Sequence, residues 1–227
     1  MSPMKPVPAN RFVVFIAIAC AGATVDLWSK HVVFDDLGYP GGGIPYKAGA
    51  HQTFAHPVDQ EGQSRPYLDG WIKFRLFTSF NRGALWGIGQ GWTALFAVAS
   101  VAAIVAIVVW LFVFAAARSR WLTVALALIF AGTIGNLWDR LAMHGCTDLR
   151  GETVFAVRDF LLFTFGDYHY PIFNFADSFL VTGAIMLVIQ SLMPSPQTEI
   201  ADEAAAGAPA ARDDVRPHAA EKTASTA

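Results

Sequence analysis

The chain has 227 residues, of which 54% are hydrophobic and only 15% charged, with a mean hydropathy of +0.41. That is too apolar for an ordinary soluble domain, and a formal net charge of −2 leaves no basic footprint for nucleic acid. Two cysteines, Cys20 and Cys146, are too few for a disulfide framework.

The first apolar run, Phe12 to Trp28, is interrupted only by Asp26 and is flanked by Lys5 and Arg11. A secretory signal peptide would share that basic flank, and Ala17-Ile18-Ala19-Cys20 is loosely like a lipobox. The apolar character nevertheless continues past Cys20 into Val25-Asp26-Leu27-Trp28, and three later spans supply all the anchoring the chain needs. A segment from His31 to Gly91 follows, with an irregular Gly/Pro-rich start at Gly38 to Pro45. It ends in Trp71-Ile72-Lys73-Phe74-Arg75-Leu76, whose alternation predicts a strand in a small sheet on the membrane surface.

Trp92 to Ala117 and Trp121 to Trp138 carry no charge, and Ile172 to Met193 carries only Asp177. Each is long enough to cross about 30 Å of hydrocarbon. The pattern predicts an all-α membrane protein of four transmembrane helices with a small extracytoplasmic β-element. Its membrane domain covers 1–194, with spans at about 12–30, 92–117, 121–140 and 172–193 and outer loops at 31–91 and 141–171. The Ala- and Pro-rich remainder, 195–227, has no periodicity that would bury a face and reads as a disordered cytoplasmic tail.

The connection Arg118-Ser119-Arg120 is short and basic, which assigns it to the cytoplasm. An even number of spans then puts both termini there. The long loops hold more Lys and Arg in total, but the rule concerns short loops near span ends. With that orientation, Phe12 to Val25 is about 21 Å of helix at about 1.5 Å per residue, leaving Asp26 below the outer interface. Asp177, about 25 Å from the inner end of its own span, lies near the same boundary. Asn136, Asp139 and Arg140 at the outer end of the third span, and Asn81-Arg82-Gly83-Ala84 just before the second, fall in the same leaflet.

A carboxylate at membrane depth is costly unless it faces a protein interior. Asn136, Asp139 and Arg140 share one helical face through i, i+3, i+4 spacing, and Asn174 and Asp177 share another. Gly132, Gly135, Ala176 and Gly183 would let those faces approach. The structural alternatives are concrete: Asp26 and Lys30 at i, i+4 can simply neutralise each other, the Asn136–Asp139–Arg140 set can stitch helices together, and Asn81 and Asn174 can satisfy backbone groups. His144-Gly145-Cys146-Thr147-Asp148 and His169 match none of the common zinc spacings. No serine or cysteine nucleophile is placed among the outer-leaflet groups, which leaves carboxylate chemistry by Asp159, Asp177, Asp26 and Asp139. A small proton-coupled carrier is the competing class, although carriers place such acids near the midplane and show repeats, and no repeat is present.

These residues resemble the lipoprotein signal peptidase family, also called signal peptidase II. Asp26-Leu27-Trp28-Ser29-Lys30 resembles its Asp-x-x-Ser/Thr-Lys signature, and Asn81-Arg82-Gly83-Ala84-Leu85-Trp86-Gly87 its Asn-x-Gly-Ala-Ala-Phe/Trp-Gly. Gly132 to Arg140 resembles Gly-x-x-Gly-Asn-x-x-Asp-Arg, Val157-Arg158-Asp159-Phe160 resembles Val-Val-Asp-Phe, and Phe173 to Ser178 resembles Phe-Asn-x-Ala-Asp-Ser. The five motifs run in the family's order. Leu85 and Arg158 depart from it, and the stretch between Arg140 and Asp159 is longer than usual.

The resemblance implies an aspartic endopeptidase of the bacterial inner membrane that removes the signal peptide of prolipoproteins, cleaving before a diacylglyceryl-modified cysteine. Asp159 and Asp177 would be the catalytic pair. Asp26, Lys30, Asn81, Gly83, Asn136, Asp139, Arg140, Asn174 and Ala176 would bind substrate or support the site, with Arg140 holding Asp139 ionised and Lys30 doing so for Asp26. The surface segment around Lys73 to Phe80 would cradle substrate. No metal or other cofactor is required. The expected partners are lipidated precursors and membrane lipid, and a monomer is expected.

Overall fold

A computed structural model of the chain describes residues 7–37, 66–83, 89, 91–114, 117, 119–147 and 151–193. The Gly38–Pro45 stretch, Ala84 to Gly87, Arg118, Asp148 and the tail lie outside the described residues.

Four helices are long and apolar enough to cross a membrane. Helix α1 runs Ala9–Leu37, α2 runs Thr93–Val108 and continues as a π-helical turn Val109–Val113, α3 runs Arg120–Arg140, and α4 runs Phe175–Leu192. Their outward faces carry exposed Val13, Ile16, Val98, Val105, Val181 and Val188, a surface suited to lipid. Inside, Phe15, Ala19, Ile107, Leu111 and Leu126 form a core between α1, α2 and α3, tightened by Phe15 set edge-on to Phe112 and Phe130.

Two boundaries differ from expectation. Helix α1 extends seven residues past Lys30, because His31 to Leu37 keeps an apolar face: Val32, Val33 and Phe34 are buried against the sheet. Helix α4 starts at Phe175 rather than Ile172, since Phe173 is held extended by hydrogen bonds with Phe160 and Leu161. The outer loop 141–171 also contains regular structure, in the apolar stretch that begins at Val157.

That stretch is the middle strand of a three-stranded antiparallel sheet, β1(Ile72–Asn81), β2(Val157–Phe165) and β3(Tyr168–His169), in the order β1-β2-β3. Ile72 faces Phe165, Phe74 faces Phe163 and Leu76 faces Leu161, so one side of the sheet is a continuous apolar surface. Beyond Leu76 the register slips by one residue: Ser79 pairs with Asp159 and Asn81 with Val157. This β-bulge matters for the site. Without it Thr78 and Phe80 would continue the face of Leu76, whereas with it Asn81 shares a face with Asp159.

Candidate active site

The acidic end of α4 is built by capping. Asn174 precedes the helix, and its side-chain Oδ1 accepts the amide of Asp177 at 2.9 Å, while Asp177 Oδ2 accepts the amide of Asn174 at 3.4 Å. This reciprocal pair is a capping box made with Asn and Asp. A third helix-end donor, the amide of Ala176, is satisfied from another element by Asp26 Oδ1 at 2.8 Å. Asp177 thus sits in the first turn, where the helix dipole favours negative charge, with its side chain turned inward.

Two asparagines connect this helix end to the sheet. Asn174 Nδ2 donates to Asp159 Oδ1 at 2.6 Å and to Asn136 Oδ1 at 3.2 Å, and Asn136 Nδ2 donates to Asp177 Oδ1 at 2.8 Å. Asn81 donates to Asp159 Oδ2 at 3.0 Å from β1, and its own Oδ1 accepts the Gly83 amide at 2.8 Å. Asp159 and Asp177 are therefore both buried, at 2% and 8% exposure, and share a set of neutral amide donors. Burial pushes the Asp159 carboxyl up to about 8, and the Asp177 charge acts in the same direction, while Lys30, Asn81 and Asn174 pull it down.

Behind the pair lies a charged layer. Lys30, fully buried, contacts Asp26 Oδ2 at 2.7 Å and Asp139 Oδ2 at 3.2 Å and donates to Asn136 Oδ1 at 3.1 Å. The expected partnership of Lys30 with Asp26 is present. The expected partnership of Arg140 with Asp139 is not: Arg140 donates to the Gly83 carbonyl at 3.1 Å and lies over the Phe96 ring. Asp139 is instead held by Arg158, through Nε at 3.1 Å and Nη2 at 2.9 Å to Oδ1 and through the Arg158 amide at 2.9 Å to Oδ2. Arg140 leaves Asp139 because the i+1 geometry of a helix points the two side chains apart, while β2 brings Arg158 directly over it.

All the expected site residues meet at this junction, through side chain or backbone. Glycines permit the approach. A Cβ on Gly135 would strike the Asp26 carboxylate, and one on Gly132 would strike the carbonyl oxygen of Ala176. Gly183 plays the same part further along, where a Cβ would lie 2.6 Å from the Ala125 carbonyl. His144, considered as a metal ligand, spends Nδ1 on the Cys146 amide at 2.9 Å in the turn after α3.

Sequence reasoning missed the role of Arg158, which it treated only as a departure from a motif. A lone cation inside an apolar stretch, next to an acid, is the signal that could have found it. The apolar walls were missed as well. A cleft of about 450 Å³ opens beside Asp177, lined by Phe163, Phe165, Tyr170, Phe173, Ser178, Val181 and Thr182. Its walls are almost wholly apolar, with Asp177 the one acid among them.

Comparison with known proteins bears on the family and the fold. A family model described as signal peptidase (SPase) II matches residues 18–193. A lipoprotein signal peptidase of Rhodopirellula baltica is 42% identical over 185 residues, covering 81% of this chain and 74% of the relative. One from Bacillus subtilis is 38% identical over 134 residues, covering 59% and 78%. A solved bacterial membrane enzyme superposes with a TM-score of 0.57 at 26% identity, covering 84% of this chain and 93% of its own.

Proposed function

The chain belongs to the signal peptidase II family of membrane proteases, and from that membership we propose that it cleaves prolipoprotein signal peptides by an aspartic mechanism centred on Asp159 and Asp177. The observation that carries this reading is the shared partner: Asn174 donates through its side chain to the Asp159 carboxyl and through its backbone amide to that of Asp177, both acids are buried, and Asp177 lines an apolar cleft.

Two carboxyl groups confined in a poorly solvated pocket cannot both ionise cheaply, so together they keep one proton. The ionised oxygen takes a proton from water as that water attacks the scissile carbonyl. The protonated partner donates to the oxyanion that develops, and the proton taken from water later goes to the leaving amine. Asn81, Asn136 and Asn174 donate one N–H to each of the four carboxyl oxygens and so orient both groups, leaving each oxygen a second lone pair for the shared proton or the water. No side-chain nucleophile is needed.

The substrate's apolar segment is helical in lipid, and its lipid-bearing cysteine lies at the outer interface. The cleft bounded by Phe163, Phe165, Phe173 and Val181 receives apolar side chains next to the scissile bond. The short basic connection around Ser119 supports cytoplasmic termini, with the site near the outer face of the bacterial inner membrane. One chain supplies every residue assigned to the site, so the proposed chemistry needs no second copy.

The test is cleavage of lipidated and unlipidated precursor by purified full-length protein. Asp159→Asn and Asp177→Asn each remove detectable processing of the lipidated precursor while the protein remains folded in detergent. Normal processing by either variant removes that acid from the mechanism, and equal cleavage of unlipidated precursor removes the assigned substrate class.

A further inference from the structure

The acids and bases around the site come close to cancelling. Among the described residues, Asp26 and Lys30 reach it from α1, Asp139 and Arg140 from α3, Arg158 and Asp159 from β2, and Asp177 from α4. The turn after α3 adds His144, which faces Asp139 and Arg158 and which burial holds below its ordinary value, so it is neutral in the working range. From β1 the group facing Asp159 is the neutral amide of Asn81. Asp36, the other buried acid of α1, acts on Tyr67 instead.

Four acids therefore face three bases. With all four ionised, the cluster carries one uncompensated negative charge. One proton on the Asp159–Asp177 pair leaves three anions against three cations. In a site screened from water and salt, a net charge is far more costly than at the surface, so neutrality selects the protonation state that an aspartic mechanism requires.

Within that balance Arg158 stands apart. The residue is 4% exposed, and its guanidinium bonds to Asp139 through two nitrogens and lies over the Phe34 ring. It is the neighbour in sequence of Asp159, it is not among the residues that line the apolar cleft, and it departs from the apolar residue of the motif it occupies. A valine there would keep the backbone bond to Asp139, because that bond uses only the Arg158 amide.

We propose that Arg158 is a positioning residue for the catalytic pair: its guanidinium completes the charge balance of the buried cluster, so that Asp159 and Asp177 hold one proton between them at neutral pH. The inference rests on the aspartic reading above. Arg158 touches neither water nor substrate in this scheme. It acts through Asp139 and through the field at the pair.

The experiment is the pH profile of kcat/KM for lipidated precursor, measured on full-length protein in proteoliposomes. Arg158→Gln removes the charge and keeps hydrogen-bonding capacity, leaving the cluster one unit negative. Its profile moves to higher pH by about one unit, a tenfold change in proton affinity. Arg158→Lys restores the charge and returns the profile to the parent's position, even where kcat is lower. Asp139→Asn, with Arg158 kept, moves the profile the opposite way, and Asp139→Asn/Arg158→Gln brings it back. If Arg158→Gln is not recovered folded, the Asp139→Asn shift and its reversal in the double variant decide the matter. A profile unmoved by Arg158→Gln, an Arg158→Lys profile displaced as far as the Gln variant's, or an Asp139→Asn shift that the double variant does not reverse overturns the proposal. Retained cleavage by Asp159→Asn would instead sink the aspartic reading itself, so the two failures are distinguishable.

Discussion

Asn174 Nδ2 lies 2.6 Å from Asp159 Oδ1, a contact that ties the start of α4 to strand β2. The same amide caps α4 through Asp177, so a single side chain carries both a structural and a site-forming role. The two separate by substitution. Asn174→Ser keeps a hydroxyl able to cap, whereas Asn174→Ala keeps nothing. Asn174→Ala is expected to lose about 1 kcal/mol of stability, and Asn174→Ser only a fraction of that. Both shorten the reach to Asp159, and kcat falls in both by about tenfold to a hundredfold. Thermal unfolding beside precursor cleavage measures the split, and a Ser variant with full activity would show that the contact with Asp159 is dispensable.

The pH dependence follows from Asp159. Its carboxyl ordinarily titrates near 3.8, and burial first, then the Asp177 charge, pushes it up to about 8. The proton is therefore retained across the neutral range and lost as pH rises through about 8. In the proposed mechanism the pair then has no proton to give the oxyanion, and kcat/KM is expected to fall about tenfold per pH unit. The same shift acts on stability with a definite sign. A folded-state value raised above the unfolded one contributes stability that is complete below about 3.8 and is lost as pH rises through about 8. Asp159→Asn, which cannot ionise, is thus expected to unfold at a higher temperature than the parent at pH 8.5, with the gap closing toward pH 4. Identical pH dependence of unfolding in the two proteins would contradict the assignment.

Helical periodicity made half of this site legible. The i, i+4 pair Asp26 and Lys30, the face of Asn136 and Asp139, and the i, i+3 pair Asn174 and Asp177 are local relations, set by one turn of helix, and each is present. Relations across elements were not legible. Arg158 reaches Asp139 because a strand crosses the end of α3, Asp26 caps a helix 150 positions away, and Arg140 turns to Gly83. Nor does alternation in Trp71 to Leu76 reveal a bulge, since the extra residue appears only when β1 meets its partner. The end of α1 was hidden for a different reason. Helix continues past the apolar span wherever a face still has something to bury, and Phe34 has the sheet.

The bulge gives a direct test of strand register. Deleting Phe77 removes the extra residue, so the register of Leu76 and Leu161 runs straight on to Ser79 opposite Asp159 and Asn81 opposite Val157. Asn81 then keeps its face and its bond to Asp159. Cleavage by the deletion variant should stay within about tenfold of the parent's, whereas Asn81→Ala should lose about a hundredfold. A deletion variant as inactive as Asn81→Ala would show that the bulge itself, and not the register it leads into, sets the position of Asn81.

Lys30 is buried with no exposure and bonds to two carboxylates and an amide oxygen. Removing one partner from such a set leaves charge uncompensated, so Lys30→Met is expected to cost about 3–5 kcal/mol, seen as a large fall in the unfolding temperature in detergent. Asp26→Asn/Lys30→Met deletes an acid along with the base and should recover part of that stability. It should not recover activity, because Asn136 Oδ1 has lost the ammonium that turns its amide toward Asp177. Recovery of both together would mean that Lys30 serves the fold alone.

Close approach of α3 to α4 rests on the absence of a single carbon. A methyl group at Gly132 would meet the Ala176 carbonyl oxygen and lie 2.8 Å from Leu180 Cγ. The first of these is helix backbone one residue before Asp177, so the strain cannot be relieved by rotating a side chain. Gly132→Ala is expected to cost about 1–3 kcal/mol. Moving α4 outward also draws Asp177 from Asn136, so kcat should fall about tenfold or more with little change in KM. Gly70, with nothing within 4 Å of its would-be Cβ, supplies the comparison: Gly70→Ala should stay within about 0.5 kcal/mol and keep full activity. If Gly132→Ala matches Gly70→Ala in both measurements, the two helices are further apart than their contact through Gly132 requires, and the position of Asp177 is set by its hydrogen bonds alone.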